Sequence, residues 1–547
     1  MQDYWDGPGA AHRRVIYKGA GFCDGDIRNK PHIGIANAFS EVSPAHIHLR
    51  MLADGVKQGI WEAGGMPLEF GVPSTCGNVA IGSEELKYEL AGRDAVAMAV
   101  EFVSRVHNFA GLVLLSSCDN IVPGQLMALA RLNVPSVLVT GGPMLTGSYR
   151  GEEIATPDVN TGVLSGGTLA DLAGMEDAAC PGFGACPVMG TANTMQILSE
   201  VMGLVLPGTS TIPAVMAGRL RAARDSGRAV VHMVRSQVAP SDILTRESLL
   251  NAATVLLAMG GSTNGVLHLL SLARELDLPL GLDDFDRLSR EVPLVSLVRP
   301  NGPYSVVDLH AAGGVPALLK NLEGMLHLDA LGVSGKTLRE ALEGAPLPDG
   351  RVIRPVDDPV TPDSGLAFLK GNLAPGGAVL RTSGMAQAMR RFRGIARAFD
   401  GDSLALQAIE RGDIKAGDIV VVRYEGCRGA PGMKEIMLST DALVARGLDA
   451  SVGLITDGRF SGFNHGPIVG HICPEAFDGG PLALLRDGDR ISLDVDARTL
   501  DVELSQEELE ARRTQWKPPA PRVSRGMLAL YAATCRPSSE GGAMQTW

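Results

Sequence analysis

Two short stretches of this sequence put reactive side chains where the geometry of the chain makes them useful. In Ser117-Cys118-Asp119-Asn120-Ile121-Val122-Pro123-Gly124, a thiol and a carboxylate stand side by side just ahead of a proline that opens a helix. A helix N-terminus favours anions and thiolates, so this turn is suited to an anionic ligand or a metal-binding thiolate. In Ala179 to Met189 (ACPGFGACPVM), two more cysteines, Cys180 and Cys186, occupy a glycine-rich turn. It too leads into a helix, with Met195, Leu198, Met202 and Val205 on one face. Eight cysteines in 547 residues are too sparse for a secreted disulfide framework, so reduced thiols, some of them metal ligands, are the better reading.

Regular elements must hold these turns in place. From His48 to Ala63, Leu49, Leu52, Val56 and Ile60 share one face and Gly64-Gly65 follows, the pattern of an amphipathic helix and its stop. Asp94 is expected to cap a second helix carrying Val96, Val100, Val103 and Val106. Gly111 to Ser116 (GLVLLS) reads as a buried strand, Pro123 opens the next helix, and Ser136 to Thr140 is another apolar strand. Strand, helix and strand in about thirty residues make a βαβ unit with parallel strands, whose ligands bind beyond the carboxyl ends, where the 117–120 turn lies.

Between about Leu342 and Pro375 the apolar periodicity gives way to Pro, Asp and Gly, which places a domain boundary there. The expected domains are residues 1–360 and 361–547. Beyond the boundary, Ile419 to Tyr424 and Ser451 to Thr456 read as strands, and Ile491 to Leu504 as a hairpin turning near Asp496 and Arg498. The tail after Cys535 is polar and reads as frayed.

Composition narrows the functional classes. There is no uninterrupted apolar run of about 18 residues, and Met1 to Arg14 carries charges of both signs, so the expectation is a cytoplasmic protein with no membrane partner. A net charge of −12 argues against a nucleic-acid surface and for a small-molecule enzyme. Aromatic content of 4% with 67 glycines suits an α/β enzyme with many tight turns.

The motif Cys118-Asp119-Asn120-Ile-Val-Pro123-Gly124 resembles the Cys-Asp-Lys-x-x-Pro-Gly run of the dihydroxy-acid and sugar-acid dehydratase family. Further matches follow in order: Glu62-Ala-Gly-Gly65, Gly141-Gly-Pro-Met144, Thr191-Ala-Asn-Thr-Met195, Gly260-Gly-Ser-Thr-Asn264, Lys370 to Pro375, Tyr424-Glu425-Gly426, Pro431-Gly-Met433 and Asp457-Gly-Arg-Phe-Ser461-Gly462. The resemblance implies an N-terminal doubly wound parallel-sheet α/β domain joined to a C-terminal β-barrel-containing domain, with the site between them. It implies a homodimeric hydro-lyase that converts a 2,3-dihydroxy acid or sugar acid to a 2-keto acid. It further implies Ser461 as the base, Cys118 and Cys186 as ligands of a [2Fe–2S] cluster, and Asp119 and Glu425 as magnesium carboxylates.

Three positions depart from the family pattern. Ala45, in Ser43-Pro44-Ala45-His46, stands where the family has its first cluster cysteine, and a methyl group cannot ligate iron. Gly77 replaces a magnesium aspartate, and Asn120 replaces the lysine that becomes carboxylated. Two carboxylates plus water are expected to hold magnesium weakly. Cys76, beside the lost aspartate, is the one thiol that could stand in as a third cluster ligand. Because the family's first cysteine comes from another loop, loss of the cluster is the reading preferred over relocation. The expectation is therefore a dehydratase-family lyase on a small hydroxy acid with a weakened or remodelled metal site. The alternatives are metal-independent proton transfer on the same scaffold and a silent binding homologue.

Overall fold

The computed structural model describes residues 2–460 and 466–545 of the chain. Strands β1 (His32–Asn37), β2 (Met66–Gly71), β3 (Gly111–Ser116) and β4 (Ser136–Thr140) form an all-parallel sheet in the order β2-β1-β3-β4. Every residue of β1, β3 and β4 is buried, which is why GLVLLS reads as a continuous apolar run rather than an alternating one.

The chain leaves β1 toward β2 on one side, returns across β1 to β3, and then continues outward to β4. Right-handed crossovers in opposite directions put their helices on opposite faces, giving the doubly wound arrangement. The Leu49–Glu62 helix of the first crossover packs on the Ala217–Ser236 helix, and the Ile121–Leu132 helix of the last packs on Tyr88–His107. The direction reverses between β1 and β3, so a crevice opens beyond their carboxyl ends. A short hairpin, β5 (Gly147–Tyr149) and β6 (Glu152–Ile154), follows β4.

The C-terminal part carries β7 (Leu366–Leu369), β8 (Ala378–Arg381), β9 (Arg391–Phe399), β10 (Asp418–Val422), β11 (Gly453–Thr456), β12 (Ile468–Gly470), β13 (Arg490–Asp494) and β14 (Thr499–Val502). Their order is β14-β13-β9-β10-β11-β12-β8-β7, and a bridge between Lys370 and Thr499 joins the two ends into a nearly closed barrel. In β10, Ile419 and Val421 point into the barrel core with Leu380, Ile455 and Ile491, whereas Val420 and Val422 pack with Ile409 and Leu443 of the covering helices. Both faces of the strand are therefore buried. The expected hairpin is β13 with β14, turning through Arg498 at φ 61°.

Two expectations are corrected. Asp94 is not a cap: the helix starts at Tyr88, and Asp94 is fully buried in it, where burial raises its carboxyl above the usual range. The tail is not frayed either. Asp94 Oδ1 accepts from Met544 N at 2.7 Å, and Arg93 Nη1 donates to Gly541 O at 3.1 Å. The partners that bury this polar segment lie some 450 positions away in sequence, so the tail's composition cannot reveal them.

Candidate active site

A cavity of about 320 Å³ opens beyond the carboxyl ends of the parallel strands. The loop after β1 brings Ala45 to it, the loop after β2 Cys76 and Gly77, and the turn after β3 Cys118, Asp119 and Asn120. Cys180 and Cys186 come from the glycine-rich turn. The C-terminal part closes the cavity with Glu435 and Arg459.

Two motif residues outside the lining, Asn193 and Asp457, fix the turns around it. Asn193 Nδ2 donates to the carbonyls of Cys186 (2.7 Å) and Val188 (2.9 Å), pinning the second cysteine turn. Asp457 accepts from the backbone N–H groups of Glu425 (2.9 Å), Tyr424 (3.2 Å) and Ala476 (2.8 Å), which fixes the start of the 457–460 loop. Burial lifts the Asp457 carboxyl to about 6. Arg459, 1% exposed, donates to Met433 O at 2.7 Å and pairs with Glu435 at 3.0 Å.

The first turn differs from its expected use. His46, fully buried, accepts through Nε2 from the backbone N–H groups of Ser117 (3.2 Å) and Cys118 (3.0 Å). Those amides are thus occupied by an imidazole. Burial pushes His46 down to about 3, and only the neutral ring can accept these bonds. Cys118 is accordingly no ready thiolate: its hydrogen bond with Cys76 and its burial push it well above the ordinary thiol range. The same bond brings Cys76 down to about 7. Burial takes Cys186 up to about 12, with Asn78 Nδ2 at 3.6 Å and Thr156 Oγ1 at 3.7 Å from its sulfur.

Of the residues singled out in the sequence, Cys76, Cys118, Cys186 and Asp119 meet in this cavity. Ser461 lies outside the described residues. Glu425 is absent from the cavity lining: it is 1% exposed, accepts from Asp402 N at 3.2 Å and pairs with Arg522 at 3.1 Å. The glutamate that does reach the cavity is Glu435, ten residues on, turned inward by its pairing with Arg459. Its nearness to the Pro431-Gly-Met433 motif was the available signal. Glu89 also lines the cavity, and its place in an amphipathic helix carried no such signal. Asp119 is raised to about 8, first by burial and then by Glu435 and Glu89. Among the described residues, no three His, Cys, Asp or Glu side chains converge tightly enough to hold a single metal ion as they stand. No helix among them is long and apolar enough to cross a membrane.

A doubly wound sheet thus faces a near-closed barrel across a cavity of thiols and carboxylates. Residues 30–341 match the dihydroxy-acid/6-phosphogluconate dehydratase N-terminal domain, and residues 351–542 match the C-terminal domain of the same family. The chain is 46% identical over 543 residues to a dihydroxy-acid dehydratase of Ignicoccus hospitalis, covering 98% of each chain. It is 43% identical to one of Acetivibrio thermocellus and 44% identical to one of Pyrococcus furiosus, again over 98% of each chain. The chain belongs to the dihydroxy-acid/6-phosphogluconate dehydratase family, and is an enzyme of the hydro-lyase class.

Proposed function

We propose that this cavity removes water from a small 2,3-dihydroxy acid to give the 2-keto acid, the reaction named for the relatives. What carries the reading is the meeting of Cys76, Cys118, Cys186, Asp119, Glu435 and Arg459 on one cavity. In the reaction a base takes the C2 proton, the C2–C3 double bond forms as the C3–O bond breaks and hydroxide leaves, and the enol becomes the ketone. Ser461 is the base in this assignment, supported by the family motif around it and by Arg459, two residues earlier, on the cavity wall. The Arg459 guanidinium supplies the cationic charge that the substrate carboxylate needs, and the buried walls exclude water from the enol.

The thiols fit the family's cluster. Three of them, Cys76, Cys118 and Cys186, line the same cavity, and a two-iron cluster spreads its ligands over two metals, so they need not converge on one point. Cys76 takes the part that Ala45 cannot. When bound, iron supplies a Lewis acid for the departing hydroxide. Asp119 and Glu435 are oxygen donors suited to magnesium. The chain is assigned a division near residue 360, in the stretch between Ala341 and Leu366 that has isolated bridges but no helix or strand. On the resemblance, it works as a cytoplasmic homodimer.

The test is to incubate protein purified without oxygen with short branched 2,3-dihydroxy acids and sugar acids and to trap the product as a hydrazone. Formation of a 2-keto acid is expected. Folded, iron-replete protein that yields none from either group would sink the assignment.

A further inference from the structure

The position of Glu89 is the least expected feature of the cavity. It sits at the second residue of the Tyr88–His107 helix, is 8% exposed, and reaches toward the loop after β2. A Cβ placed on Gly77 would meet Glu89 Cγ at 3.2 Å and Cδ at 3.3 Å. The Glu89 side chain therefore lies against the place where a side chain at position 77 would begin, and would have to give by a few tenths of an ångström to admit one.

Asn120 completes the arrangement. Its Nδ2 donates to Glu89 Oε2 at 3.2 Å, which fixes the orientation of the amide, because a carboxylate can only accept. Its Oδ1 is thereby turned away from Glu89; it is buried, has no hydrogen-bond partner, and belongs to a side chain only 2% exposed on the cavity wall. A buried carbonyl oxygen without a donor is costly unless something cationic or protic meets it. Charge points the same way. Among the described charged residues lining the cavity, Glu89, Asp119 and Glu435 are acids and Arg459 alone is basic. Adding an anionic substrate to three carboxylates and one guanidinium is unfavourable without further positive charge.

We infer that Glu89 supplies the carboxylate that position 77 lacks, and that with Asp119, Glu435 and the free Oδ1 of Asn120 it seats a hydrated divalent cation of the magnesium type. The inference rests on the assignment of this cavity as the dehydratase site. All the donors are oxygens, the set a hard cation selects. They stand too far apart for three side chains to grip one point, but magnesium keeps several waters and takes only one or two carboxylates directly.

Mn2+ is the probe, its free aquo signal read by electron paramagnetic resonance during titration of the full-length protein. One Mn2+ per chain is expected to bind, with an affinity about tenfold or more weaker in Glu89→Gln, whose amide oxygen still accepts from Asn120 and so keeps the fold. In Glu89→Ala the loss should be at least as large. Adding Gly77→Asp to Glu89→Ala, now that the space is free, should restore binding to within about threefold. Wild-type protein that binds no Mn2+, or folded Glu89→Gln that binds it unchanged, overturns the inference. Because the titration needs no turnover, binding without keto-acid formation would count against the proposed reaction, whereas keto-acid formation without Mn2+ binding would count against this site.

Discussion

Gly124 of the Pro-Gly motif offers a direct test of how the cavity wall is built. It lies in the Ile121–Leu132 helix, which carries Asn120 at its start, against the Tyr88–His107 helix, which carries Glu89. A Cβ at this position would meet Arg93 O at 2.5 Å and Val96 Cβ at 2.9 Å. That is about 1 Å inside the optimal separation of non-bonded heavy atoms, and the nearest obstacle is a helix backbone, which cannot swing aside. In Gly124→Ala, alanine's better helix propensity contributes about 1 kcal/mol, while the backbone clash places the overpacking cost toward the upper end of about 1–3 kcal/mol, so the net change is destabilising, by up to roughly 2 kcal/mol. The helices must also part, and the Asn120–Glu89 bond, already 3.2 Å long, has little length to give. Gly92, in the same Tyr88–His107 helix, is the control: a Cβ there meets nothing within 4 Å. Gly92→Ala should therefore stabilise by roughly 0.5–1 kcal/mol. Urea unfolding followed by circular dichroism should move the midpoint down for one substitution and up for the other. Equal shifts, or a Gly124→Ala midpoint at or above wild type, would refute the packing argument.

Ser461→Ala should lower turnover by roughly two to four decades with circular dichroism unchanged; near-normal turnover would remove Ser461 from the role of base. Protein purified without oxygen should be brown with about two irons per chain, and Cys76→Ser should bleach it; colour that survives the substitution means Cys76 is no ligand. Burial is the main cause of a His48 value near 4, well below the roughly 6.5 of the unfolded chain. The unfolded state thus binds the proton first, and wild type loses stability relative to His48→Gln as pH falls from about 6.5 toward 4, by up to about 1.4 kcal/mol per pH unit. Parallel midpoints for the two proteins across that window would contradict the burial account.

The parts of the fold that were legible in the sequence are those with local causes. The face of Leu49, Leu52, Val56 and Ile60 has helical spacing, and the continuous run Ile419 to Val422 is apolar on both sides because the barrel core and its covering helices both need it. Cys76 was legible as a candidate because it adjoins a substituted position in an ungapped stretch. Glu435 was missed because two glutamates flank one motif, and what decides between them is pairing with Arg459 or with Arg522, neither of which is local. Glu89 was missed for a similar reason. Its meaning depends on Gly77 and Asn120, which come from two other elements and meet it only in the folded chain. Asp94 was misread as a cap because its true partner, the backbone of Met544, is nearly the whole chain away.

That last contact bears on when the enzyme becomes complete. A chain emerging from the ribosome releases its N-terminal elements first, and domains generally fold in that order. The Tyr88–His107 helix, however, buries Arg93 and Asp94 against backbone that is synthesised some 450 residues later, at Gly541 and Met544. Until then its buried ion pair lacks those partners, and half-satisfied buried charges are strongly unfavourable. The helix that presents Glu89 to the cavity therefore settles only once the 541–544 segment has emerged, so that segment acts as a latch on a cavity wall that precedes it by some 450 residues. A nascent chain stalled short of Met544 should leave that wall loose.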